Sequence, residues 1–239
     1  MTRFLNPVYC SLIAVPVLVI GMVLVLFTMR NMPAVWQYGA IIPMAYLLGS
    51  IPWGYVILQW RHGVDIRQYG SGRTGMSNVL RTAGKNVAAA VLALDVLKGV
   101  LAVLLAREVI GTTTAEVTTG LLVLIGHNWP VFLGFRGGRG IATGLGGLAI
   151  MAPIPAAVAA LAFLPIILLS RYLSLGSIIG VIIAFFTVLG MAIAGMYATA
   201  YTLYAFIGGA IIIWQHRDNI QGIIKGTERR LGAPAVKIQ

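Results

Sequence analysis

Most of this chain consists of apolar runs about as long as the roughly 20 residues that a helix needs to cross the hydrocarbon core of a membrane. Such runs are clear at residues 8–29, 34–58, 86–106, 117–135, 174–194 and 197–214. Only 10% of the residues are charged, against roughly 25% in soluble domains. The mean hydropathy of +0.92 agrees. The sequence therefore predicts an all-α polytopic membrane protein.

The stretch 141–169 departs from this pattern because it contains Pro153 and Pro155 near its middle. Proline ends or kinks a helix, since it has no N–H group to donate. We therefore predict two shorter helices, 141–152 and 156–169. At 1.5 Å per residue they would be only about 18–21 Å long, so we expect both to lie inside the bundle. The chain would then have eight helical segments.

The positions of the basic residues favour the division of 141–169 into two helices. Of the 17 Lys and Arg residues, all but Arg30, Arg107 and Lys98 then fall on one side of the membrane. The positive-inside rule makes that side the cytoplasm. It would hold the N-terminus, the loops 59–85, 136–140 and 170–173, and the tail 215–239. Because these loops explain the net charge of +11, nucleic acid is not expected as a partner.

We predict a single membrane domain over residues 1–239, without an internal repeat or a long linker. The run 8–29 is longer than the apolar region of a signal peptide and lacks an A-x-A-like cleavage site, so we interpret it as a retained span. It precedes a helical core, 34–214, and a cytoplasmic tail, 215–239. Cys10 is the only cysteine and no His, Asp or Glu cluster has metal-ligand spacing, so we expect no metal and no other cofactor.

Residues 70–75, GSGRTG, match the dinucleotide-binding pattern G-x-G-x-x-G. That motif needs a buried strand and a βαβ unit, but membrane-length segments flank it here, so a Rossmann fold is excluded. The glycines could still let backbone N–H groups form an anion-binding nest. The surrounding polar residues are Arg67, Ser71, Arg73, Ser77, Asn78, Arg81 and Lys85. The alternative is a plain turn whose cations only keep it in the cytoplasm.

Two further polar clusters follow on the same predicted side. Residues 134–143, GFRGGRGIAT, place Arg136 and Arg139 among glycines just before an apolar helix, whose free N–H groups favour phosphate. The segment HRDNIQGIIKGTERR then supplies His216, Asn219, Lys225 and Glu228. Together the three clusters predict a site for a phosphorylated small molecule at the bilayer surface.

Six segments between about residues 40 and 232 carry a family resemblance. They are LLGSIPWGY at 47–55, DIRQYGSGRTGMSNVLR at 65–81, LDVLKG at 94–99, GHNWPVFLGFRGGRGIAT at 126–143, SRYLSLGS at 170–177 and HRDNIQGIIKGTERRLG at 216–232. With these segments the chain resembles the bacterial acyl-phosphate:glycerol-3-phosphate acyltransferases of the PlsY type. The family pattern GSGNxGxTN differs at Arg73, in place of Asn, and at Ser77, in place of Thr; Arg139 replaces a usual Lys.

The resemblance implies a seven-helix core, to which 8–29 is an addition, in the bacterial cytoplasmic membrane. It implies transfer of a fatty acyl group from acyl-phosphate to the sn-1 hydroxyl of glycerol-3-phosphate, giving lysophosphatidic acid and phosphate. The residues it implies for catalysis are Ser71, Arg81, His216 and Asn219, with Glu228 as a structural residue. By the same resemblance, Gly137, Gly138, Gly140 and Arg139 would hold glycerol-3-phosphate, and the other substrate- and phosphate-binding residues would be Gly70, Gly72, Arg73, Ser77, Asn78 and Thr143.

Acyl-phosphate is already activated, so the protein mainly has to place an alcohol against the carbonyl and stabilise charge on two phosphates. The chain has no G-x-S-x-G motif, and none of His62, His127 and His216 has an Asp five positions on. His216, or a phosphate oxygen of a substrate, would take the hydroxyl proton. We interpret His127 as a packing or hydrogen-bonding residue rather than a metal ligand. Asp95 and Lys98, spaced i,i+3 in a span, are either a neutralised structural pair, which we favour, or part of the site.

Two alternative functions stay open from the sequence. One is a paralogue that acylates another acceptor. The other is a transporter of an organic phosphate, since transporters also hold anions at helix N-termini. The absence of two matching halves and the position of the polar residues at the inner ends of the spans disfavour transport.

Overall fold

The computed structural model describes residues 7–238, and within that range it is helical, with no strand beyond an isolated bridge between Tyr69 and Lys237. The α-helices are α1 (Pro7–Thr28), α2 (Ala34–Gly49), α3 (Trp53–His62), α4 (Met76–Ala83), α5 (Lys85–Val109), α6 (Thr113–Asn128), α7 (Ile141–Met151), α8 (Pro153–Ser170), α9 (Leu173–Ile193), α10 (Ala200–Gln215) and α11 (Arg217–Ile224). The N-terminus, which the charge pattern assigns to the cytoplasm, lies outside the described residues.

Four helices, α1, α5, α8 and α9, are long and apolar enough to cross a membrane. Helices α2 and α3 form a fifth candidate span, bent by 45° at the break before Trp53. The predicted run 34–58 is therefore broken, at a point where the chain contains Pro52. Lys98 stabilises the break, because its Nζ donates a hydrogen bond to the carbonyl oxygen of Gly49 at 3.0 Å.

The stretch 141–169 is divided into α7 and α8, which confirms the prediction of two helices. The predicted start of the second helix at residue 156 was wrong. Helix α8 begins at Pro153, because a proline in the first turn removes no intrahelical hydrogen bond. With 18 residues it is itself a candidate span, and exposed side chains such as Leu161 and Leu169 place it at the lipid-facing side of the bundle. Helix α7, with 11 residues, does lie inside.

Helices α5 and α7 approach each other closely because glycines face the contact. A Cβ atom at Gly146 would lie 2.2 Å from the Val96 carbonyl oxygen, and one at Gly99 would lie 2.2 Å from the Thr143 carbonyl oxygen. Both neighbours are backbone atoms that cannot turn aside. The contact positions α7, whose first turn forms part of the site described below.

Hydrogen bonds gather the loops and the tail at one end of the bundle. The guanidinium of Arg229 donates to the Gly70 carbonyl at 3.1 Å, and the N–H group of Leu231 donates to the Arg171 carbonyl at 2.6 Å. The tail therefore lies on the same side as the loops 59–85 and 170–173, as the division of 141–169 predicts.

A cluster of polar side chains connects α5, α6, α7 and α10 at the opposite end of the bundle. Arg107 makes two 2.8 Å hydrogen bonds to the carboxylate of Glu116, which also accepts a bond from the Tyr201 hydroxyl at 2.9 Å. The same guanidinium donates to the carbonyl of Ile150 at 2.9 Å, near the end of α7. This carbonyl belongs to the last turn of a helix, where no intrahelical donor is available.

Candidate active site

A cavity of about 80 Å³ lies between the first turns of α4 and α7, and we call it the polar cavity because charged side chains line part of an otherwise largely apolar wall. Asp95 of α5 and His127 of α6 line it from the membrane interior. Arg73, Arg139 and His216 complete the polar part of its wall. The three polar clusters recognised in the sequence each contribute to this wall, although they are far apart along the chain.

Arg73 and Arg139 are partly buried cations that have no carboxylate partner. Neither forms an ion pair within residues 7–238. Nε of Arg139 donates to the Gln215 carbonyl at 3.2 Å, which leaves its other N–H groups available. Burial, followed by the nearby charge of Arg73, lowers the pKa of Arg139 to about 10, so this side chain is still protonated at neutral pH. A cation held away from water without a partner is costly, so the cavity suits an anionic ligand.

In the glycine loop 70–75, the first three N–H groups are not free to form an anion-binding nest. The N–H group of Gly70 donates to the Val236 carbonyl at 2.9 Å, and that of Ser71 donates to Oδ1 of Asn78 at 3.1 Å. The N–H group of Gly72 donates to the Tyr69 carbonyl at 2.9 Å. These three donors already have partners.

Asn78 is the residue that shapes this loop. Its Nδ2 lies 2.9 Å from the carbonyl oxygens of Tyr69 and Arg73, and its whole side chain is buried. A Cβ atom at Gly70 would lie 2.2 Å from Oδ1 of Asn78, and the φ angle of +58° there also favours glycine. Asn78 and Gly70 are thus placed to hold the backbone, and neither lines the cavity.

The second glycine segment packs against the end of α6. The N–H groups of Gly137 and Gly138 donate to the carbonyls of Asn128 and His127 at 3.2 and 3.1 Å. A Cβ atom at Gly138 would lie 2.0 Å from Nε2 of His127. Of the three predicted glycines, only Gly140 lines the cavity.

The first turns of α4 and α7 also offer N–H groups to an anion. The first turn of a helix has no intrahelical acceptors for its donors. The residues of these turns that line the cavity are Met76, Ser77, Ile141 and Ala142. Two helix N-termini and two arginines therefore converge on one small cavity, an arrangement that favours phosphate.

Gly72 also lies outside this wall, and so do four predicted residues with polar side chains, namely Ser71, Arg81, Thr143 and Asn219. Each of these four side chains has one buried polar atom without a hydrogen-bond partner among the described residues. Ser71 lines a neighbouring open groove instead. The amide of Asn219 donates to Oε1 of Glu228 at 2.8 Å, so Glu228 connects α11 to the tail. Unpartnered buried atoms are places where a bound substrate can complete the hydrogen bonding.

His216 presents one defined tautomer to the cavity. Its Nδ1 lies 2.8 Å from the Ile212 carbonyl oxygen, which can only accept, so Nδ1 carries the proton and Nε2 is left as an acceptor. Burial lowers the pKa of His216 to about 4, and the charges of Arg139 and Arg73 act in the same direction. The imidazole is therefore neutral at physiological pH.

We expect ¹⁵N NMR of histidine-labelled protein in detergent to show His216 in the neutral Nδ1–H form down to about pH 5, because its pKa lies near 4. Replacement of Arg139 by Gln removes a neighbouring positive charge and should move the titration to higher pH. The spectrum of His216→Gln assigns the signal. Titration of His216 near pH 6.5 in the unsubstituted protein would contradict this electrostatic account.

Asp95 and His127 line the cavity, which the sequence did not decide, and Asn128 follows His127 at the end of α6 without lining the cavity. Oδ1 of Asp95 lies 2.9 Å from Nζ of Lys98 and 3.5 Å from Nδ1 of His127. Asp95 is thus both part of an ion pair and part of the cavity wall, so the two interpretations left open for it coexist. Asn128 is fully buried, and neither atom of its amide has a partner among the described residues. The sequence feature that could have indicated His127 and Asn128 is the segment GHNWP, which lies at the end of an apolar run.

An apolar cavity of about 270 Å³ adjoins the polar one. It is lined mainly by α7, α8, α9 and α10, and it opens between helices whose outer surfaces are apolar. The residues that line both cavities are Met76, Leu92, Ile141, Ala142, Phe163 and Ser177. A ligand with a charged head and a long apolar chain can therefore occupy the two together.

Comparisons with known proteins agree with this geometry. A family model described as glycerol-3-phosphate acyltransferase matches residues 39–226. Glycerol-3-phosphate acyltransferase 3 of Dehalococcoides mccartyi strain ATCC BAA-2266 / KCTC 15142 / 195 is 44% identical over 203 residues, which cover 80% of this chain and 94% of that protein. Glycerol-3-phosphate acyltransferase of Thermoanaerobacter sp. strain X514 is 43% identical over 189 residues, with coverage of 79% and 93%.

Two crystal structures of PlsY (YgiH), an integral membrane glycerol 3-phosphate acyltransferase, have the same fold. The glycerol 3-phosphate form matches with a TM-score of 0.75 and 42% identity over 80% of this chain and 94% of that one. The lysophosphatidic acid form matches with a TM-score of 0.73 and 41% identity over 81% and 94%. Helix α1 precedes the matched range of the family model, which contains both glycine segments and His216. The chain belongs to the glycerol-3-phosphate acyltransferase family.

Proposed function

We propose that this protein transfers a fatty acyl group from acyl-phosphate to the sn-1 hydroxyl of glycerol-3-phosphate, releasing lysophosphatidic acid and phosphate. The observation that carries the proposal concerns two arginines, Arg73 and Arg139. Neither forms an ion pair among the described residues, and both line a polar cavity that continues into an apolar one. The cations and helix N-termini suit a phosphate, and the apolar cavity suits an acyl chain. Metals and cofactors have no part in the proposed reaction.

The proposed reaction is a direct displacement. The sn-1 oxygen forms a bond to the acyl carbonyl carbon, and the bond from that carbon to the phosphate oxygen breaks. The electron pair leaves with the phosphate, while the hydroxyl gives up its proton. Because the donor is a mixed anhydride, the enzyme contributes positioning and charge stabilisation rather than a covalent intermediate.

The proton goes to a phosphate oxygen in this proposal. The pKa of His216 is lowered to about 4, whereas the second pKa of a phosphate monoester is roughly 6, so the phosphate is the stronger base. Nε2 of His216 accepts a hydrogen bond from the attacking hydroxyl and orients it. Ser71, Arg81 and Asn219 are proposed to complete the site when substrates bind, since each has an unpartnered buried atom.

We place the protein in the bacterial cytoplasmic membrane, with the site facing the cytoplasm and lipid surrounding the helices. The support is the gathering of the basic loops at the end of the bundle where the cavity lies, together with the positive-inside rule. Access from the cytoplasm suits a soluble, charged acceptor.

The test is phosphate release by the purified, detergent-solubilised protein given palmitoyl-phosphate, with and without glycerol-3-phosphate. We expect release that depends on the acceptor and a lipid product identified by mass spectrometry as lysophosphatidic acid. Turnover only with another alcohol would identify a paralogue with a different acceptor. Absence of turnover with every acceptor, combined with uptake of glycerol-3-phosphate into proteoliposomes, would identify a transporter.

A further inference from the structure

The last part of the tail crosses the loop end of the bundle and lies along the chain that leads into the loop 70–75. Its residues 229–238, which we call the strap, follow the range that the family model matches. Around the isolated bridge of the strap, the N–H group of Ile238 donates to the Gln68 carbonyl at 2.7 Å. The N–H group of Gly70 donates to the Val236 carbonyl at 2.9 Å. The strap thus contacts the loop through backbone hydrogen bonds, as a neighbouring strand would.

Both backbone groups of Gly70 are bonded to the strap. Besides the contact of its N–H group with Val236, its carbonyl accepts a hydrogen bond from the guanidinium of Arg229 at 3.1 Å. Asn78 holds the same loop from the side of the bundle. Ser71, the next residue, has a buried Oγ without a partner among the described residues. The position of this hydroxyl therefore depends on contacts that the strap makes at Gly70.

The strap also contacts Arg81, in the last turn of α4. The N–H group of Ala235 donates to the Arg81 carbonyl at 3.2 Å, and Nη2 of Arg81 donates to the Arg229 carbonyl at 3.2 Å. Nε of the same guanidinium is buried and has no hydrogen-bond partner between residues 7 and 238. The strap therefore fixes one end of this guanidinium and leaves Nε available.

We propose that Arg229 and Ala235 of the strap are positioning residues, which hold Ser71 and Arg81 in the geometry that acyl transfer needs. The inference rests on the proposed acyl transfer. Neither strap residue lines the polar or the apolar cavity, so both act through the loop 70–75 and α4. A loop rich in glycine has many accessible backbone conformations, and contacts on both sides reduce their number. Misplacement of a reacting group by about 1 Å can lower a rate by about 10²-fold.

Two matched pairs of variants of the full-length protein test the proposal. Arg229→Gln removes the donor to the Gly70 carbonyl. Arg230→Gln makes the same change of charge at the neighbouring exposed side chain, which forms no hydrogen bond among the described residues. Ala235→Pro removes the N–H group that bonds Arg81. Val236→Pro removes an N–H group that has no partner in the described part of the chain, and it keeps the carbonyl that Gly70 uses.

We expect Arg229→Gln and Ala235→Pro each to lower kcat about ten-fold, as for the loss of one hydrogen bond. The KM values for palmitoyl-phosphate and glycerol-3-phosphate should stay within about two-fold, because Arg139 and the helix N-termini at the cavity are unchanged. Arg229→Lys should recover part of the loss, since it keeps a donor. Arg230→Gln and Val236→Pro should leave kcat unchanged. Rates are compared well below the melting temperature of each variant, so partial unfolding does not contribute.

Amide hydrogen exchange in the same detergent gives a readout that does not depend on catalysis. Exchange should become faster in residues 68–83 of Arg229→Gln and Ala235→Pro but not in α7, because only the loop and α4 lose contacts. Lower melting temperatures with unchanged kcat, a change in KM alone, or equal losses of kcat in test and control variants would overturn the proposal. Failure of the unsubstituted protein to acylate glycerol-3-phosphate would instead overturn the proposed function.

Discussion

Replacement of Arg139 by Gln should lower kcat/KM by about 10²–10³-fold, the effect of removing one donor that stabilises developing charge. Arg139 lines the polar cavity, lies beside the first turn of α7 and has no carboxylate partner in the described part of the chain. Its charge is therefore available to a substrate phosphate and to the negative charge that we expect to develop as the C–O bond breaks. The measurement is the initial rate of lysophosphatidic acid formation.

The same substitution should leave the melting temperature unchanged or raise it. Burial opposes the charge of Arg139, as its lowered pKa of about 10 indicates, so removal of the cation relieves a cost in the folded state. Arg139→Lys should retain more activity than Arg139→Gln, since it keeps the charge but loses the fork geometry. Activity within a few-fold of the unsubstituted protein in Arg139→Gln would show that this arginine does not bind the reacting phosphate.

Replacement of Gly146 by Leu should prevent α7 from packing on α5. The Cβ atom alone would lie 2.2 Å from the Val96 carbonyl oxygen, and backbone atoms cannot move aside as a side-chain end can. We expect a loss of stability of at least about 3 kcal/mol, at the upper end of overpacking effects. The measurement is the yield of monodisperse protein in detergent and its melting temperature.

Gly190→Leu is the matched control for this prediction. Gly190 lies in α9, and a Cβ atom there would meet nothing within 4 Å. Both substitutions place the same side chain in an apolar helix, so a difference between them isolates the α5–α7 contact. A melting temperature of Gly146→Leu equal to that of Gly190→Leu would show that the two helices can separate without cost.

The spans were predictable because they depend on local properties. A backbone in lipid must form its hydrogen bonds within its own helix, so an apolar run of membrane length such as 8–29 or 174–194 indicates a helix directly. Pro153 and Pro155 indicated a break between two helices, because proline has no N–H group to donate an intrahelical hydrogen bond. The start of α8 was misplaced because a proline in a first turn loses nothing, and periodicity cannot distinguish that position from a helix break.

The site was predictable in part. Charge and glycine content identified the three segments that meet at the cavity, and the resemblance implied roles for their residues. What the sequence could not show is which N–H groups are free. In the loop 70–75, the N–H groups of Gly70, Ser71 and Gly72 donate to Val236, Asn78 and Tyr69. The contact with Val236 joins the loop to the tail, which is distant in the sequence.

The sequence alone determined that the chain is a helical membrane protein with its basic loops on one side, because apolar length and charge act locally and through the membrane. Only the tertiary structure decided that Arg73 and Arg139 line one cavity without forming an ion pair among the described residues, that Asp95 and His127 line the same cavity, and that an apolar cavity continues from it. Those features arise where helices distant in sequence pack against each other, and packing depends on contacts that no local pattern records.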